Sequence, residues 1–172
     1  MDFYKLIAER YSVRKFKNER LPKGIVDKIL EAGHLAPTGC NNQPQRILVL
    51  NNDESIEKLK NCTRCHFDAP TAMLVCYSKD ECWTRKYDGK TCGVADACIV
   101  TTHMMLGAYS MGVGSTWVMH FDPQKMREAF EIPQNIEPVA LLVMGYPAED
   151  ATPADFHNQF RPLDEVVVYD KF

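Results

Sequence analysis

Apolar side chains recur at helical spacing in five stretches of the chain. Asp2 and Asp53 directly precede the first and third stretches, and each is expected to cap its helix. Pro22 suits the first turn of the second helix, and Pro37 forces the chain out of it. The predicted helices span residues 3–10, 22–36, 53–60, 93–111 and 123–130.

Four shorter apolar runs are bounded by turn residues and predict β-strands. They span residues 46–50, 72–77, 115–118 and 139–144. The second run is apolar enough to be buried on both faces of a sheet. The helix over 93–111 is apolar nearly all round, which predicts a central position or a subunit interface.

A polar segment, residues 148–172, follows the last predicted core strand and is rich in proline and acidic side chains. It contains Val166, Val167 and Val168, a run of high β-propensity with no neighbouring strand in sequence. We predict that this segment is an arm whose strand pairs with the sheet edge of a second copy of the chain. With this arm, residues 1–172 fit a single domain.

Composition and charge exclude several classes of protein. With 45% hydrophobic and 25% charged residues, the chain is not of the disordered type. Its net charge of −3 gives no bulk attraction to nucleic acids or anionic membranes, so an anion site has to be local. No secretion signal and no apolar stretch of membrane-spanning length is found. Seven cysteines, an odd number, suit a reducing compartment, and we expect a cytoplasmic protein.

The segment Cys62-Thr63-Arg64-Cys65-His66 has the spacing that attaches c-type haem. That interpretation requires export, for which the sequence carries no signal. Cys62 and Cys65 also have the spacing of a zinc knuckle, but Cys82 and Cys92 do not form a second close pair. Incidental thiols in a surface loop explain the segment more simply, and we predict no metal site.

Two arginines flank a hydroxyl where the first helix gives way to an extended segment, Arg10-Tyr11-Ser12-Val13-Arg14. In extended backbone, residues 10, 12 and 14 point to the same side, so three donors can converge on one anion. A charged, solvated face is the alternative, and the pentapeptide by itself leaves both interpretations open.

The loop over residues 37–44 combines a hydroxyl, several carboxamides and Gly39 between a helix and a strand. Carboxamides both donate and accept hydrogen bonds, so such a loop can bind the polar edge of a flat heterocycle. A structural turn that uses Asn41 and Asn42 for left-handed backbone is an equally good interpretation. No dinucleotide-binding, P-loop or serine-hydrolase motif is present in the sequence.

Four sequence motifs follow one another along nearly the whole chain. They are Arg10-x-Ser12-x-Arg14, residues 36–44, the helix from Asp96 into Gly112-Val113-Gly114-Ser115-Thr116-Trp117, and Gly145-Tyr146-Pro147 before a tail with Arg161. Together they resemble the nitroreductase family of FMN-dependent oxidoreductases. The resemblance implies an α+β fold with a central, mostly antiparallel sheet flanked by helices. It also implies a homodimer with FMN at the subunit interface.

The resemblance further assigns roles to residues of this chain. Residues 10–12 and Arg161 would hold the FMN phosphate, and Arg14 would lie near N1 and O2 of the ring, where its charge stabilises reduced flavin. The loop over 37–43 would come from the other subunit, and residues 117–120 would line the ring. The residues implied at the cofactor are Arg10, Tyr11, Ser12, Arg14, Pro37, Thr38, Gly39, Asn41, Gln43, Trp117, Val118, Met119, His120 and Arg161.

The implied activity is a ping-pong transfer of two electrons from NADH or NADPH to a nitroaromatic, quinone or similar acceptor, with no acid or base required from the protein. Flavin fragmentation and dehalogenation are alternatives on the same fold, and a flavin- or metal-binding module without turnover is a further one. The sequence departs from the family at Gln45, where many members have Trp, and at Tyr11, where His or Arg is frequent. The segment that roofs the pocket of larger members is short here, so the resemblance implies either a more open pocket or one that is closed by residues 79–92.

Overall fold

A four-stranded sheet forms the centre of the protein. The computed structural model describes residues 2–172. The strands are β1 (Gln45–Leu50), β2 (Thr71–Ser78), β3 (Gly114–Val118) and β4 (Ile136–Gly145). They lie in the order β1, β2, β4, β3, and every neighbouring pair is antiparallel. The predicted α+β class with a central antiparallel sheet is therefore confirmed.

Residues 2–172 contain six α-helices, four of which cover the two faces of this sheet. They are α1 (Phe3–Glu9), α2 (Lys23–His34), α3 (Asp53–Lys60), α4 (Gly93–Ser110), α5 (Pro123–Phe130) and α6 (Leu163–Val166). Helices α2 and α4 pack together over one face, while α3 and α5 cover the other. The five helices predicted from apolar spacing are all present, and α6 is an additional short helix in the arm.

The central strands supply two separate cores because successive side chains of a strand point to opposite faces. Met73 and Val75 of β2 belong to the core under α2 and α4. Leu74 and Cys76 belong to the core under α3 and α5. A strand of this kind has to be apolar throughout, and β2 is buried along its whole length, as predicted for residues 72–77.

Helix α4 lies across the sheet and contacts all four strands, which is the central position that its apolar surface predicts. Its start is fixed by a close approach: Gly93 lies against the ring of Tyr77, and a Cβ atom on Gly93 would overlap that ring. Farther along, Gly107 lies so close to α2 that its Cβ would stand 2.8 Å from the Cβ of Ala32. No helix within residues 2–172 has the length and apolar content that a membrane span requires.

The cap of α3 differs from the sequence prediction. Asn52, not Asp53, caps this helix: its side-chain oxygen accepts a hydrogen bond from the Ser55 N–H at 2.8 Å, and Ser55 Oγ accepts one from the Asn52 N–H at 3.3 Å. Asp53 lies in the first turn, where its negative charge favours the helix N-terminus. The other predicted cap is confirmed, since Asp2 accepts a hydrogen bond from the Lys5 N–H at 3.2 Å.

The arm, residues 148–172, contains a 3-10 turn at Asp155–Asn158 and helix α6, and no strand. Within the described chain, residues 166–168 pair with no strand: Val166 ends α6, and Val167 follows in extended backbone. The pairing of this run with a second copy of the chain stays a prediction. High β-propensity expresses itself only where a neighbouring strand offers pairing, and no strand of the same chain lies beside this run. The arm leaves the apolar side chains of Phe156, Phe160, Leu163, Tyr169 and Phe172 exposed.

We predict that Gly93→Ala lowers the free energy of unfolding by about 1–3 kcal/mol, the cost of overpacking a core, because the added methyl group would overlap the Tyr77 ring. Urea denaturation measures the change. Gly24→Ala in α2 is the matched control, since no atom lies within 4 Å of the Cβ it would gain. Equal stability of the Gly93→Ala protein and the wild type would show that α4 does not approach β2 as described.

Candidate functional site

The segment after α1 runs alongside β3 and extends that edge of the sheet. Ser12 forms a parallel bridge with Ser115, and the Val13 N–H donates a hydrogen bond to the Ser115 carbonyl at 3.0 Å. The Thr116 hydroxyl donates to the Val13 carbonyl, and the Val13 side chain is fully buried. Because Val13 points into the core, Ser12 and Arg14 on either side of it point outward, as the extended backbone predicts.

This outward side opens on a cleft of about 290 Å³ between the segment and the start of the arm. The Tyr11 hydroxyl donates to the Ala151 carbonyl at 3.3 Å, and the Tyr11 ring meets the His157 ring edge to face at 6.2 Å. The lining residues are Arg10, Tyr11, Ser12, Arg14, Ala154, Phe156 and His157. Arg161 is exposed and is not among them.

The cleft carries positive charge that the described chain does not neutralise. Neither Arg10 nor Arg14 forms an ion pair with a carboxylate of residues 2–172, although arginines elsewhere in the chain do. Arg14 Nη1 donates to the Ser12 carbonyl at 3.2 Å, and its guanidinium carbon lies 5.9 Å from the centre of the Phe67 ring. Two guanidinium groups beside a hydroxyl, without an anionic partner in the described part of the chain, form a donor set suited to an anionic group such as a phosphate.

Residues 117–120 form the end of β3 and the two positions after it. They directly follow Ser115 and Thr116, which are bonded to the segment that carries Ser12 and Val13. Trp117 packs against the core under α2 and α4, and its indole N–H is buried without a partner among residues 2–172. The Val118 side chain is buried in the opposite core, so only its backbone is available to a ligand. Met119 is 61% exposed and His120 is exposed, so both can contact a bound molecule.

A buried threonine ties residues 117–120 to the cysteine-containing segment after α3. Thr63 Oγ1 donates to the His120 carbonyl at 2.5 Å and accepts from the Cys65 N–H at 3.0 Å. Cys62 is buried, and its carbonyl accepts from the Asp122 N–H at 2.8 Å. Residues 62–66 thus form a structural clasp that is hydrogen-bonded to residues 120–122. Phe67 follows directly after this clasp and lies beside Arg14.

The thiols of this clasp are poorly suited to metal binding. Burial, and to a lesser extent the nearby Asp122 carboxylate, raise the pKa of the Cys62 thiol, so the proton that a metal has to displace is held more tightly. One ring nitrogen of His66 is engaged as well, because its Nδ1 accepts from the Asp68 N–H at 3.0 Å. Throughout residues 2–172, no three His, Cys, Asp or Glu side chains are grouped closely enough to hold a metal ion.

The loop predicted to bind a heterocycle forms a tight 3-10 turn at Gly39–Asn41, just before β1. Asn41 and Gln43 both have left-handed backbone, with φ of 57° and 52°. Thr38 Oγ1 accepts a hydrogen bond from the Gln43 N–H at 3.1 Å, and Asp96 Oδ1 accepts one from the Gly39 N–H at 2.9 Å. The backbone of the loop is therefore held by the chain itself, while its outer side chains at Pro37, Asn41 and Gln43 remain exposed.

The structure places the predicted site residues in two separate groups. Residues 10–14 and 117–120 lie beside β3, whereas the turn over 38–43 leads into β1. These strands form opposite edges of the sheet, about 14 Å apart at three strand spacings. One chain therefore does not bring both groups onto the same face of one small ligand.

Several residues of the site carry no sequence signal of their own. Phe156 and His157 line the cleft although they lie well over a hundred residues from Arg10. Phe67 meets Arg14, and Asp96 holds Gly39, through contacts that only the folded chain creates. The only local signal at these positions is the type of side chain, aromatic in a loop or acidic in a first helical turn. That signal is too common to mark a site.

Comparison with known proteins identifies the class to which this fold and cleft belong. A model of the nitroreductase family matches residues 7–80 and 67–146. A crystal structure of a nitroreductase family protein from Clostridium difficile 630 is 41% identical, with a TM-score of 0.94 and complete coverage of both chains. The chain belongs to the nitroreductase family, which confirms the resemblance found in the sequence and the class of enzyme, an oxidoreductase.

Two further relatives bear on the chemistry. A protein from Methanothermobacter thermautotrophicus, provisionally named NADH dehydrogenase/NAD(P)H nitroreductase, is 29% identical over 168 residues, covering 94% of this chain and 85% of its own. A nitroreductase-like structure from Desulfovibrio desulfuricans, solved in complex with FMN, is 25% identical with a TM-score of 0.79. It covers 98% of this chain and 96% of its own.

We predict that Thr63→Val lowers the free energy of unfolding by about 1–3 kcal/mol, because the Cys65 N–H and the His120 carbonyl both lose a buried partner. Urea denaturation measures this loss. Thr63→Ser keeps the hydroxyl and should remain close to the wild type. If the valine variant is as stable as the serine variant, Thr63 does not hold the clasp to His120.

Proposed function

We propose that this protein binds FMN and transfers two electrons from NADH or NADPH to a nitroaromatic, quinone or similar acceptor in a ping-pong cycle. The observation that carries the proposal is the cleft beside β3, where Arg10 and Arg14 have no carboxylate partner among residues 2–172. An anionic cofactor fits this donor set. The related structure from Desulfovibrio desulfuricans contains FMN, and the match to the family model includes residues 10–14 of the cleft.

The phosphate end of FMN would be held by Arg10 and by the Ser12 hydroxyl, with the Tyr11 backbone between them. Arg10 is the C-cap of α1, and Ser12 is fixed to β3 through its bridge with Ser115, so both are anchored on regular structure. Arg161 does not line the cleft, and we propose that it joins this group when the arm crosses to the partner. Each hydrogen bond to a charged group of this kind contributes about 1.5–3 kcal/mol to binding.

Arg14 would supply a fixed positive charge at the pyrimidine edge of the flavin. Its guanidinium is positioned by the Ser12 carbonyl at 3.2 Å and by the Phe67 ring. When bound, FMN supplies the two-electron chemistry, accepting hydride from the nicotinamide and passing the electrons on to the acceptor. Arg14 favours this chemistry electrostatically, because negative charge gathers at the edge that it faces.

Residues 117–120 would line the ring itself. Met119 and His120 are exposed at the end of β3, and the Met119 N–H is the group we assign to flavin N5. The Thr63 hydroxyl fixes the backbone here through the His120 carbonyl. Trp117 supports this backbone from beneath, because its side chain packs against the core under α2 and α4.

A homodimer would complete the site, with the turn over 38–43 of one chain covering the FMN held beside β3 of the other. The separation of the two groups at opposite edges of the sheet supports this arrangement. The outer edge of β1 has no partner strand within residues 2–172, and the arm exposes a row of apolar side chains. Both features are typical of surfaces that a second copy covers, and we propose that the arm crosses to the partner.

Absorption spectroscopy of the purified protein tests the proposed activity. After incubation with FMN and gel filtration, the protein should be yellow, lose its colour with NADH or NADPH without oxygen, and regain it when a nitroaromatic or quinone is added. Initial rates with both substrates varied should give the parallel double-reciprocal lines of a ping-pong cycle. A protein that retains no FMN, or retains it without reduction by either nicotinamide, would contradict the proposal.

We predict that Arg10→Ala weakens FMN binding by about 1.5–3 kcal/mol, the contribution of a hydrogen bond to a charged group. Fluorescence titration of the apoprotein with FMN measures the dissociation constant. Arg64→Ala is the matched control, because Arg64 is also exposed but does not line the cleft. Unchanged affinity in Arg10→Ala would remove this residue from the phosphate site.

We also predict complementation between two variants defective in different halves of the site, Arg10→Ala and Asn41→Ala. If each site takes these residues from different chains, unfolding and refolding an equal mixture restores about a quarter of the FMN sites, because half of the dimers are mixed and each mixed dimer has one intact site. Bound FMN per chain after gel filtration measures the recovery. A mixture that binds no more FMN than the average of the two variants would show that one chain supplies both residues.

A further inference from the structure

Asp96 is a buried carboxylate in the first turn of α4, and it is 3% exposed. Both of its oxygens have partners outside the ordinary helix bonds. Oδ1 accepts a hydrogen bond from the Gly39 N–H at 2.9 Å, and Oδ2 accepts one from the Cys92 thiol at 3.0 Å. A buried carboxylate is costly unless its oxygens are satisfied, so these two contacts account for its position.

The same three residues are packed as well as hydrogen-bonded. A Cβ atom on Gly39 would lie 2.5 Å from Cys92 Sγ and 3.0 Å from the Cβ of Trp83, so only glycine fits there. The Cys92 N–H donates to the Trp83 carbonyl at 2.9 Å, which fixes the thiol beside the turn. The turn over 38–43 is thereby pressed against the start of α4 and tied to it through one carboxylate.

This anchorage opposes a turn that is conformationally costly. Cys40, Asn41 and Gln43 all have left-handed backbone, with φ between 50° and 57°. Left-handed backbone is unfavourable for residues other than glycine, least so for asparagine. Without an external hold, residues 38–43 would gain freedom by relaxing toward ordinary backbone.

We infer that Asp96 is a positioning residue of the flavin site: through Gly39 and Cys92 it holds the 38–43 turn in the shape that covers FMN. The inference rests on the proposed function, because it takes that turn to be the cover of the flavin. Asp96 is buried and is not offered to a ligand directly. It acts through the backbone of Gly39.

Cys92 serves this arrangement as a protonated donor. Burial first, and then the hydrogen bond and negative charge of Asp96, raise the pKa of the Cys92 thiol. The thiol therefore keeps its proton at neutral pH and donates it to Oδ2. A serine at this position can donate in the same way, whereas an alanine leaves one buried carboxylate oxygen without a partner.

Four variants test the inference: Asp96→Asn and Cys92→Ala, which weaken the anchorage, and Cys92→Ser and Cys98→Ala, which should not. Cys98 is a half-buried thiol on the same helix with no hydrogen bond to the turn. Two measurements are made on each protein. The first is amide hydrogen exchange of Gly39 and the following residues in the FMN-free protein, and the second is the FMN dissociation constant.

In Asp96→Asn and Cys92→Ala, we expect the Gly39 amide to exchange at least about tenfold faster, and the FMN dissociation constant to rise roughly fivefold to a hundredfold. Cys92→Ser and Cys98→Ala should match the wild type in both measurements. A wild type that binds FMN, together with unchanged exchange or unchanged affinity in Asp96→Asn, overturns the inference alone. A wild type that takes up no FMN overturns the proposed function, and with it the flavin role of Asp96.

Discussion

The pairing of β2 with β4 is the interaction on which the rest of the structure depends. It runs from Thr71 opposite Met144 to Ser78 opposite Ile136, and both strands are buried between two helical layers. Each strand therefore contributes to both cores, so neither core can form without the pairing. A register shift between Val75 and Cys76 places Pro138 within β4 at an irregular point of the ladder, where its missing N–H does least harm.

A centre that is apolar on both faces leaves only the edges and ends of the sheet for chemistry. Residues 10–14 occupy the edge beside β3, and the 38–43 turn stands before β1. A backbone hydrogen bond holds each of these segments in place. The Val13 N–H donates to the Ser115 carbonyl beside β3, and the Gly39 N–H donates to Asp96 in the turn before β1. The position of the candidate site thus follows from the burial of β2 and β4, which displaces polar side chains to the margins.

Much of this arrangement could be predicted from sequence because its signals are periodic. The strand over 46–50 and the helix over 123–130 differ from the observed elements by at most one residue, since turn residues bound each apolar run. The cap of α3 could not be predicted, because Asn52 and Asp53 are both good caps and only the reciprocal bond with Ser55 decides between them. The run at 166–168 could not be placed either, because a strand depends on a partner that local sequence does not specify.

For the candidate site, the charge pattern of residues 10–14 and the carboxamides of the turn were visible in the sequence, and the family resemblance joined them. The residues that shape these segments could not be predicted from the sequence, because Phe67, His157 and Asp96 reach them only through tertiary contacts.

The position of the arm at the end of the chain affects the order in which the protein folds in the cell. All four strands precede it in the chain, so a nascent chain can complete its sheet before the exposed apolar side chains of the arm are synthesised. Folding of the sheet is thus separable in time from the proposed burial of the arm, which in that arrangement awaits an encounter with a second finished chain.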